Sequence, residues 1–338
     1  MPAPRDPEAL LRVARMYYVD QLSQQQIATA LRTSRSNVSR MLTAACDAGL
    51  VEIRIVDPAG RDAELEQRLR ATFGLRDARV AALPRTPGAH DPLAAVGTLA
   101  ARLLTESVAD SMTVALSWGT ALQSMVWAVQ TERPYAVQLA QLVGGLSAIR
   151  NEISGLELVR ELSVRLGARH VHYLHAPAAF TSREARDSLL AEASVGQALD
   201  HARRADIAFV GIGTPAHGSS SALLESLRLT ESELLEFWGC APVGDVAAGY
   251  VDAHGRPVTG AVAERVLAVS AEDLRSIPTV VGVAAGRIKA PGVLGALRGR
   301  LVDVLVCDDG LARAVLAAES GAVTPTASHV IALEEVPA

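Results

Sequence analysis

Seven stretches of this chain stay mostly apolar over five to eight residues: ARVAAL at 78–83, TVALS at 113–117, AVQLAQLV at 136–143, ARHVHYL at 168–174, DIAFVGIG at 206–213, TVVGVAAG at 279–286 and VDVLVCD at 302–308. A strand with one wet face alternates apolar and polar residues. A continuous apolar run suits a strand covered on both faces, as in a parallel sheet wrapped by helices. Helical stretches separate the runs. AELEQRLRATFGL sets Leu65, Leu69 and Phe73 on one face, and 91–109, 120–130, 153–166 and 310–319 read as further helices. The expected fold class is α/β, with a doubly wound sheet. In such a sheet, ligands bind beyond the C-terminal ends of the strands.

The totals narrow the setting. Of the 338 residues 49% are hydrophobic and 20% charged, with a net charge of −5, so the chain reads as soluble and long enough for two or three domains. No apolar run has the length of a membrane span, and MPAPRDPEALLRVAR has no secretory h-region. Cys46, Cys240 and Cys307 stand far apart with no CxxC pair. That pattern predicts free thiols in a reducing cytoplasm, no disulfide framework and no zinc site. No metal or cofactor is expected, and no membrane partner.

DPAGRD at 57–62 is a polar Pro/Gly break and the candidate domain boundary. Ahead of it, Asp6-Pro7 caps a first helix with Leu10, Leu11, Ala14, Tyr17 and Tyr18 along one face. Ser23 with Gln26 opens a second helix bearing Ile27, Ala30 and Leu31. Ser34 caps a third, whose Val38, Met41, Leu42 and Ala45 face inward, and Gly49 ends it. VEIRI at 51–55 then alternates as a strand. Three short helices, a tight turn before the third and a strand describe a winged helix-turn-helix. Residues 32–40, RTSRSNVSR, carry three Arg and no acid on an acidic chain. The cap Ser34 and the outward positions Arg35, Ser36, Asn37, Ser39 and Arg40 are residue types that read base edges or grip phosphate. The turn Arg32-Thr33 lacks the glycine common in such motifs. A helical oligomerisation module is the alternative use of the same helices.

Four turns after the strands are rich in small or polar residues. In SWGTAL, Ser117, Gly119 and Thr120 open a helix, and unbonded N–H groups, helix dipole and two hydroxyls together suit phosphate, although ordinary capping would use the same residues. Trp118 would stack on a sugar or pack. Gly144 and Gly145 in VGGLS permit a close backbone approach. VGIGTPAHG, with Gly213 and Thr214, lacks the third glycine and the distal acid of a dinucleotide fingerprint, so NAD binding is rejected. His217 there reads as a loop residue. In VAAGRIKAPG, Ala285 and Gly286 make the turn before Lys289, which is the one lysine among 32 basic residues. A compact ammonium kept where every other base is arginine suggests a pocket fitted to it; chance survival on the surface is the alternative. Asp245, in a Gly-flanked apolar stretch, would accept from sugar hydroxyls or cap a helix, whereas Asp252 reads as turn chemistry.

The order helix-turn-helix, S-W-G-T, V-G-G-L, V-G-I-G, V-G-D, V-A-A-G-x-x-K and L-V-D-V-L-V-C-D resembles the SorC/DeoR family of sugar-binding transcriptional regulators over about residues 8–320. The resemblance implies residues 1–57 as a winged helix-turn-helix DNA-binding domain and 58–338 as a sugar-phosphate effector-binding and oligomerisation domain. The latter would have a fold similar to sugar-phosphate isomerases of the ribose-5-phosphate isomerase and glucosamine-6-phosphate deaminase type. It implies effector phosphate on Ser117, Gly119 and Thr120 with Lys289 beside it, and Asp245 against sugar hydroxyls. Trp118, Gly144, Gly145, Gly213, Thr214 and Gly286 would complete the pocket, and Arg35, Ser36, Asn37, Ser39 and Arg40, with the cap Ser34, would fall on the recognition helix. The implied protein is a cytoplasmic tetramer, no enzyme, that binds operator DNA near carbohydrate-catabolic genes under control of a phosphorylated sugar or polyol. The alternative is a sugar-phosphate isomerase or deaminase with an accessory domain. It lacks a second carboxylate grouped with Asp245 and Lys289, and gives the helix-turn-helix no task.

Overall fold

The computed structural model describes residues 6–51, 60–83, 91–146 and 154–321. The chain divides into two compact units, Met1–Val56 and Asp57–Ala338. Most of the expected wing strand at 51–55, and Ser147 of VGGLS, lie outside the described residues.

In the first unit, α1 (Pro7–Ala14) starts on Asp6, whose carboxylate accepts from Glu8 N–H at 3.1 Å, and continues as a π-helical turn over Arg15–Val19. Helix α2 (Gln24–Ala30) starts on a full capping box between Ser23 and Gln26. Helix α3 (Arg35–Asp47) starts on Ser34, which accepts from Asn37 N–H at 3.2 Å. Val13, Ile27, Ala28, Val38 and Leu42 close a small apolar core among the three. The turn before α3 runs through Arg32 at φ 51°. That is the left-handed region glycine occupies freely and a residue with Cβ enters at about 1–2 kcal/mol. Glycine returns about 0.5–1 kcal/mol of this through its larger loss of chain entropy. Arg32→Gly is therefore expected to raise the stability of this unit by about 0.5–1 kcal/mol, read from the denaturant midpoint. A lowered midpoint would show that the Arg32 side chain has a structural task.

The second unit is built on β1 (Asp77–Ala81), β2 (Thr113–Leu116), β3 (Gln138–Gln141), β4 (His170–His172), β5 (Ile207–Gly213), β6 (Pro242–Val246), β7 (Gly249–Asp252), β8 (Val280–Val283) and β9 (Val304–Asp308). The main sheet has the order β1-β9-β8-β5-β2-β3-β4, with every neighbouring pair parallel. Its seven strands are the seven apolar runs. Strands β1, β2, β3, β5, β8 and β9 each divide their side chains between two cores. Leu116, Phe209, Val281 and Val306 join one core with the helices Pro92–Ser107, Thr120–Ala128 and Gly155–Leu166. Ala115, Val210, Leu305 and Cys307 join the other with Ala63–Phe73, Ala193–Arg203, Ala290–Arg298 and Asp309–Glu319. This is the doubly wound α/β arrangement, with helices on both faces.

Strands β6 and β7 form an antiparallel hairpin added to the end of β5 through Ile212↔Val246 and Gly213↔Asp245. The hairpin was not expected as strand, because PVGDV carries Pro, Gly and Asp, which strands disfavour. At the outer edge of β1, Asp62 N–H donates to Val80 O at 2.9 Å and Ala82 N–H donates to Gly60 O at 2.8 Å, so chain 60–62 covers that edge.

Candidate functional site

A pocket opens where β2, β5 and β8 end, between the start of the helix Thr120–Ala128 and the β6–β7 hairpin. Its position is the one a doubly wound sheet assigns to ligands. Of the residues expected there, Ser117, Trp118, Gly119, Thr120, Gly213, Asp245 and Lys289 line it.

Ser117 directly follows β2 and is buried. Its Oγ accepts from Gly211 N–H at 3.1 Å and its N–H donates to Phe209 O at 3.1 Å, fastening β2 to β5 under the pocket. Gly119 follows at φ 129° and ψ 160°, a region essentially confined to glycine. It is the N-cap of Thr120–Ala128, and no side chain caps that helix. The first N–H groups of an α-helix have no intrahelical acceptor, and with the dipole they attract an anion. Trp118 is a packed residue: it is 7% exposed and its Nε1 donates to Gly144 O at 3.1 Å.

On the opposite side Asp245 is buried on β6. It accepts a short hydrogen bond from Ser220 Oγ, and Tyr250 OH donates to Ser220 O at 2.7 Å. Burial pushes the Asp245 carboxyl above the usual carboxylate range, against the downward pull of the Ser220 hydroxyl, the Lys289 ammonium and the Ala248 N–H. Burial, with the charge of Asp245, likewise pushes the Tyr250 phenol well up. Lys289 ends the 3₁₀ turn Arg287–Lys289 and is the N-cap of Ala290–Arg298, half-buried at the pocket. Among the described lining residues, Asp245 is the one carboxylate and Lys289 the one strong base.

Gly213 has a purpose the sequence did not reveal. A Cβ there would collide with Asp245 Oδ1 and Ser220 Oγ and stand 2.9 Å from Asp245 Cγ. The glycine seats the carboxylate over the end of β5. Gly244 and Gly292 serve the same junction: a Cβ on Gly292 would lie 2.7 Å from Gly213 O and 3.2 Å from Gly244 Cα. The hairpin turns at Ala247 and Ala248, at φ 49° and 66°, and both residues are buried and line the pocket. Positive φ at both turn residues is the type I′ pattern, which favours Asn-Gly and which residues with Cβ enter at about 1–2 kcal/mol each.

Four expected wall residues are not part of the lining. Gly144 and Gly145 pair with another loop: Gly145 N–H donates to Ala176 O at 2.8 Å, Ala178 N–H donates to Gly145 O at 2.7 Å, and a Cβ on Gly144 would collide with Pro177 O. Gly286 sits at φ 92° with its N–H donating to Asp308 Oδ2 at 2.6 Å. Thr214 lies one residue past the lining, its Oγ1 buried without a hydrogen-bond partner. Conversely, Ser219, Ser220, Ala247 and Ala248 line the pocket and were not singled out. Ser220 was findable as a hydroxyl just after the VGIG turn; the alanines carried no signal.

In the first unit, Arg35, Ser36, Ser39 and Arg40 lie exposed on α3 at the i, i+1, i+4, i+5 spacing of one face. Ser34 is exposed and acts as the cap. Asn37 is half-buried, its Nδ2 donating to Thr33 Oγ1 at 3.0 Å, which ties the tight turn to the helix.

Residues 57–317 match the Sugar-bind family, described as "Putative sugar-binding domain". The chain belongs to this family. The deoxyribonucleoside regulator of Bacillus subtilis is 30% identical over 306 residues, which are 90% of this chain and 96% of that protein. The transcriptional regulator LsrR of Klebsiella pneumoniae is 32% identical over 320 residues, 93% of this chain and 94% of its own. The full-length sorbitol operon regulator SorC from Klebsiella pneumoniae superimposes with a TM-score of 0.68 at 27% identity, over 93% of this chain and all of that one. These relatives place the chain among the SorC/DeoR transcriptional regulators, whose members here are named as regulators and not as enzymes. Among the described residues of this family member, no helix is long and apolar enough to cross a membrane.

Proposed function

We propose that this regulator acts on a carbohydrate-related operon and is controlled by a phosphorylated sugar or polyol held in the pocket described above. The observation that carries the reading is the polarity of the pocket. One part offers an uncapped helix N-terminus and the chain's one lysine, complementary to a phosphate dianion. The other offers a buried, hydrogen-bonded carboxyl suited to sugar hydroxyls. A sorbitol operon regulator and a deoxyribonucleoside regulator among the relatives support a carbohydrate-type effector. In this reading α3 enters the major groove of operator DNA in the cytoplasm. Arg35 and Arg40 grip backbone or guanine and Ser36 and Ser39 allow close approach. The working assembly is a homotetramer, and effector binding changes operator affinity by coupling two sites.

The test is thermal unfolding of the full chain against sugar and polyol phosphates with their unphosphorylated forms alongside. A ligand at 100 times its Kd adds about 2.7 kcal/mol to the native state, which raises the midpoint by several degrees. The expected result is a shift with phosphorylated members only. Equal shifts with free sugars would remove the phosphate from the assignment, and no shift with any member would remove the pocket.

A further inference from the structure

L-V-D-V-L-V-C-D, the last of the sequence motifs, ends on Asp308, which does not line the pocket. Asp308 closes β9 and is buried. Its Oδ1 accepts from Leu311 N–H at 3.0 Å and so caps the helix Asp309–Glu319. A cap needs one oxygen, and Ser, Thr or Asn supplies it about as well as Asp. The other oxygen, Oδ2, is spent elsewhere: it accepts from Gly286 N–H at 2.6 Å. Among the common cap residues, Asp is the one with two acceptor oxygens on its side chain.

Gly286 is the N-cap of the 3₁₀ turn Arg287–Lys289, and its carbonyl accepts from Lys289 N–H at 3.0 Å. Two hydrogen bonds in series therefore join the Asp308 carboxyl, through Gly286, to the backbone of Lys289. The turn also rests on the helix that Asp308 caps. A Cβ on Gly310 would lie 3.0 Å from Asp308 Oδ1 and 3.4 Å from Arg287 Cγ. One carboxyl thus fixes both the start of Asp309–Glu319 and the turn that presents the lysine to the pocket.

We propose that Asp308 is the positioning residue for Lys289. It holds the turn so that the ammonium stands at the effector, and it adds to effector affinity without touching the effector. The inference rests on the sugar-phosphate reading given above. Because Asp308 acts through Lys289, its effect on affinity disappears once the ammonium is removed. A residue that only supported the fold would weaken binding with or without Lys289.

The experiment is a double-mutant cycle, read by calorimetric titration with ribose 5-phosphate, glucose 6-phosphate and inorganic phosphate. It uses the full chain as wild type, Asp308→Ser, Lys289→Ala and the double variant. Serine keeps a cap for Leu311 N–H, but its one oxygen leaves Gly286 N–H without that acceptor. Asp308→Thr, a bulkier cap with one oxygen, is measured beside it, and melting curves show which variant folds. Asp62→Ser is the control, since Asp62 is likewise a buried cap, accepting from Leu65 N–H at 3.1 Å, and lies outside the pocket lining. The expected result is that Asp308→Ser weakens the tightest of these ligands by about tenfold on the wild-type background and by less than about twofold on Lys289→Ala. Asp62→Ser is expected to change affinity by less than about twofold. Equal losses on the two backgrounds overturn the inference, as does a loss in Asp62→Ser that matches Asp308→Ser, or wild-type affinity in Asp308→Ser. Each of these leaves the pocket reading standing when Lys289→Ala itself binds weakly. Wild-type affinity in Lys289→Ala, or a wild type that binds none of the three ligands nor any other phosphorylated sugar, overturns both.

Discussion

Lys289→Ala leaves the chain folded and lowers effector affinity by about 100-fold. A hydrogen bond between charged groups contributes about 1.5–3 kcal/mol, and each 1.4 kcal/mol is a factor of ten in Kd. The residue is half-buried at the pocket, so its loss opens no cavity in either core. Asp245 responds as well. The ammonium is one of the groups that hold the carboxyl down against burial, so removing it moves that carboxyl further toward its neutral form. On the proposed function, a sugar hydroxyl would then meet a carboxylic acid that can donate, where the wild type presents more acceptor. Lys289→Arg is expected to restore the charge and only part of the affinity, because the planar guanidinium is larger than the ammonium it replaces. Calorimetry on both variants with the best member of the phosphate panel checks this. Wild-type affinity in Lys289→Ala would withdraw the phosphate from that part of the pocket.

Gly213→Ala lowers stability by about 3 kcal/mol and abolishes the effector response. Overpacking a filled interior costs about 1–3 kcal/mol, and here the added carbon falls on two polar atoms that are bonded to each other. Asp245 and Ser220 cannot retreat independently, since Tyr250 OH holds Ser220 O from the far side. The midpoint should fall by roughly 5–10 °C for a unit of this size. Gly145→Ala is the matched control. Its Cβ would find Ala176 O at an ordinary 3.8 Å and its φ is not positive, so the change should stay within about 0.5 kcal/mol. Equal effects of the two substitutions would mean that Gly213 does not seat the carboxylate.

Those two glycines show where the sequence stops being legible. Both sit in turns after apolar runs and read alike as walls for a ligand. Gly213 makes room for a carboxylate that the chain itself supplies, whereas beside Gly145 it is Gly144 that makes room for a neighbouring loop. A missing side chain records that something comes close without saying what. The main sheet was legible because burial on both faces writes an unbroken apolar run, and each of the seven runs became a strand. The β6–β7 hairpin was not, because Gly244 and Asp245 serve the junction and the pocket against the strand preference, and Pro242 beside them is a further residue that strands disfavour. Arg32, Ala247 and Ala248 were illegible for a related reason: each occupies a left-handed position without the glycine that would announce it. The capping residues Asp6, Ser23 and Ser34 read correctly because a cap is a local bond between near neighbours in sequence.

The contact between Gly244 and Gly292 sets how this pocket can move. The helices Pro92–Ser107 and Thr120–Ala128 meet the sheet through core side chains, which can change rotamer and absorb a shift of an ångström or so. At this crossing two backbones touch, and Gly213 O is wedged against both. The helix Ala290–Arg298 starts at Lys289, and β6 carries Asp245. The cation and the carboxylate thus ride on the two halves of one rigid joint. A shift of the helix backbone at Lys289 would therefore carry the hairpin with it, while the Lys289 side chain keeps its own rotamers.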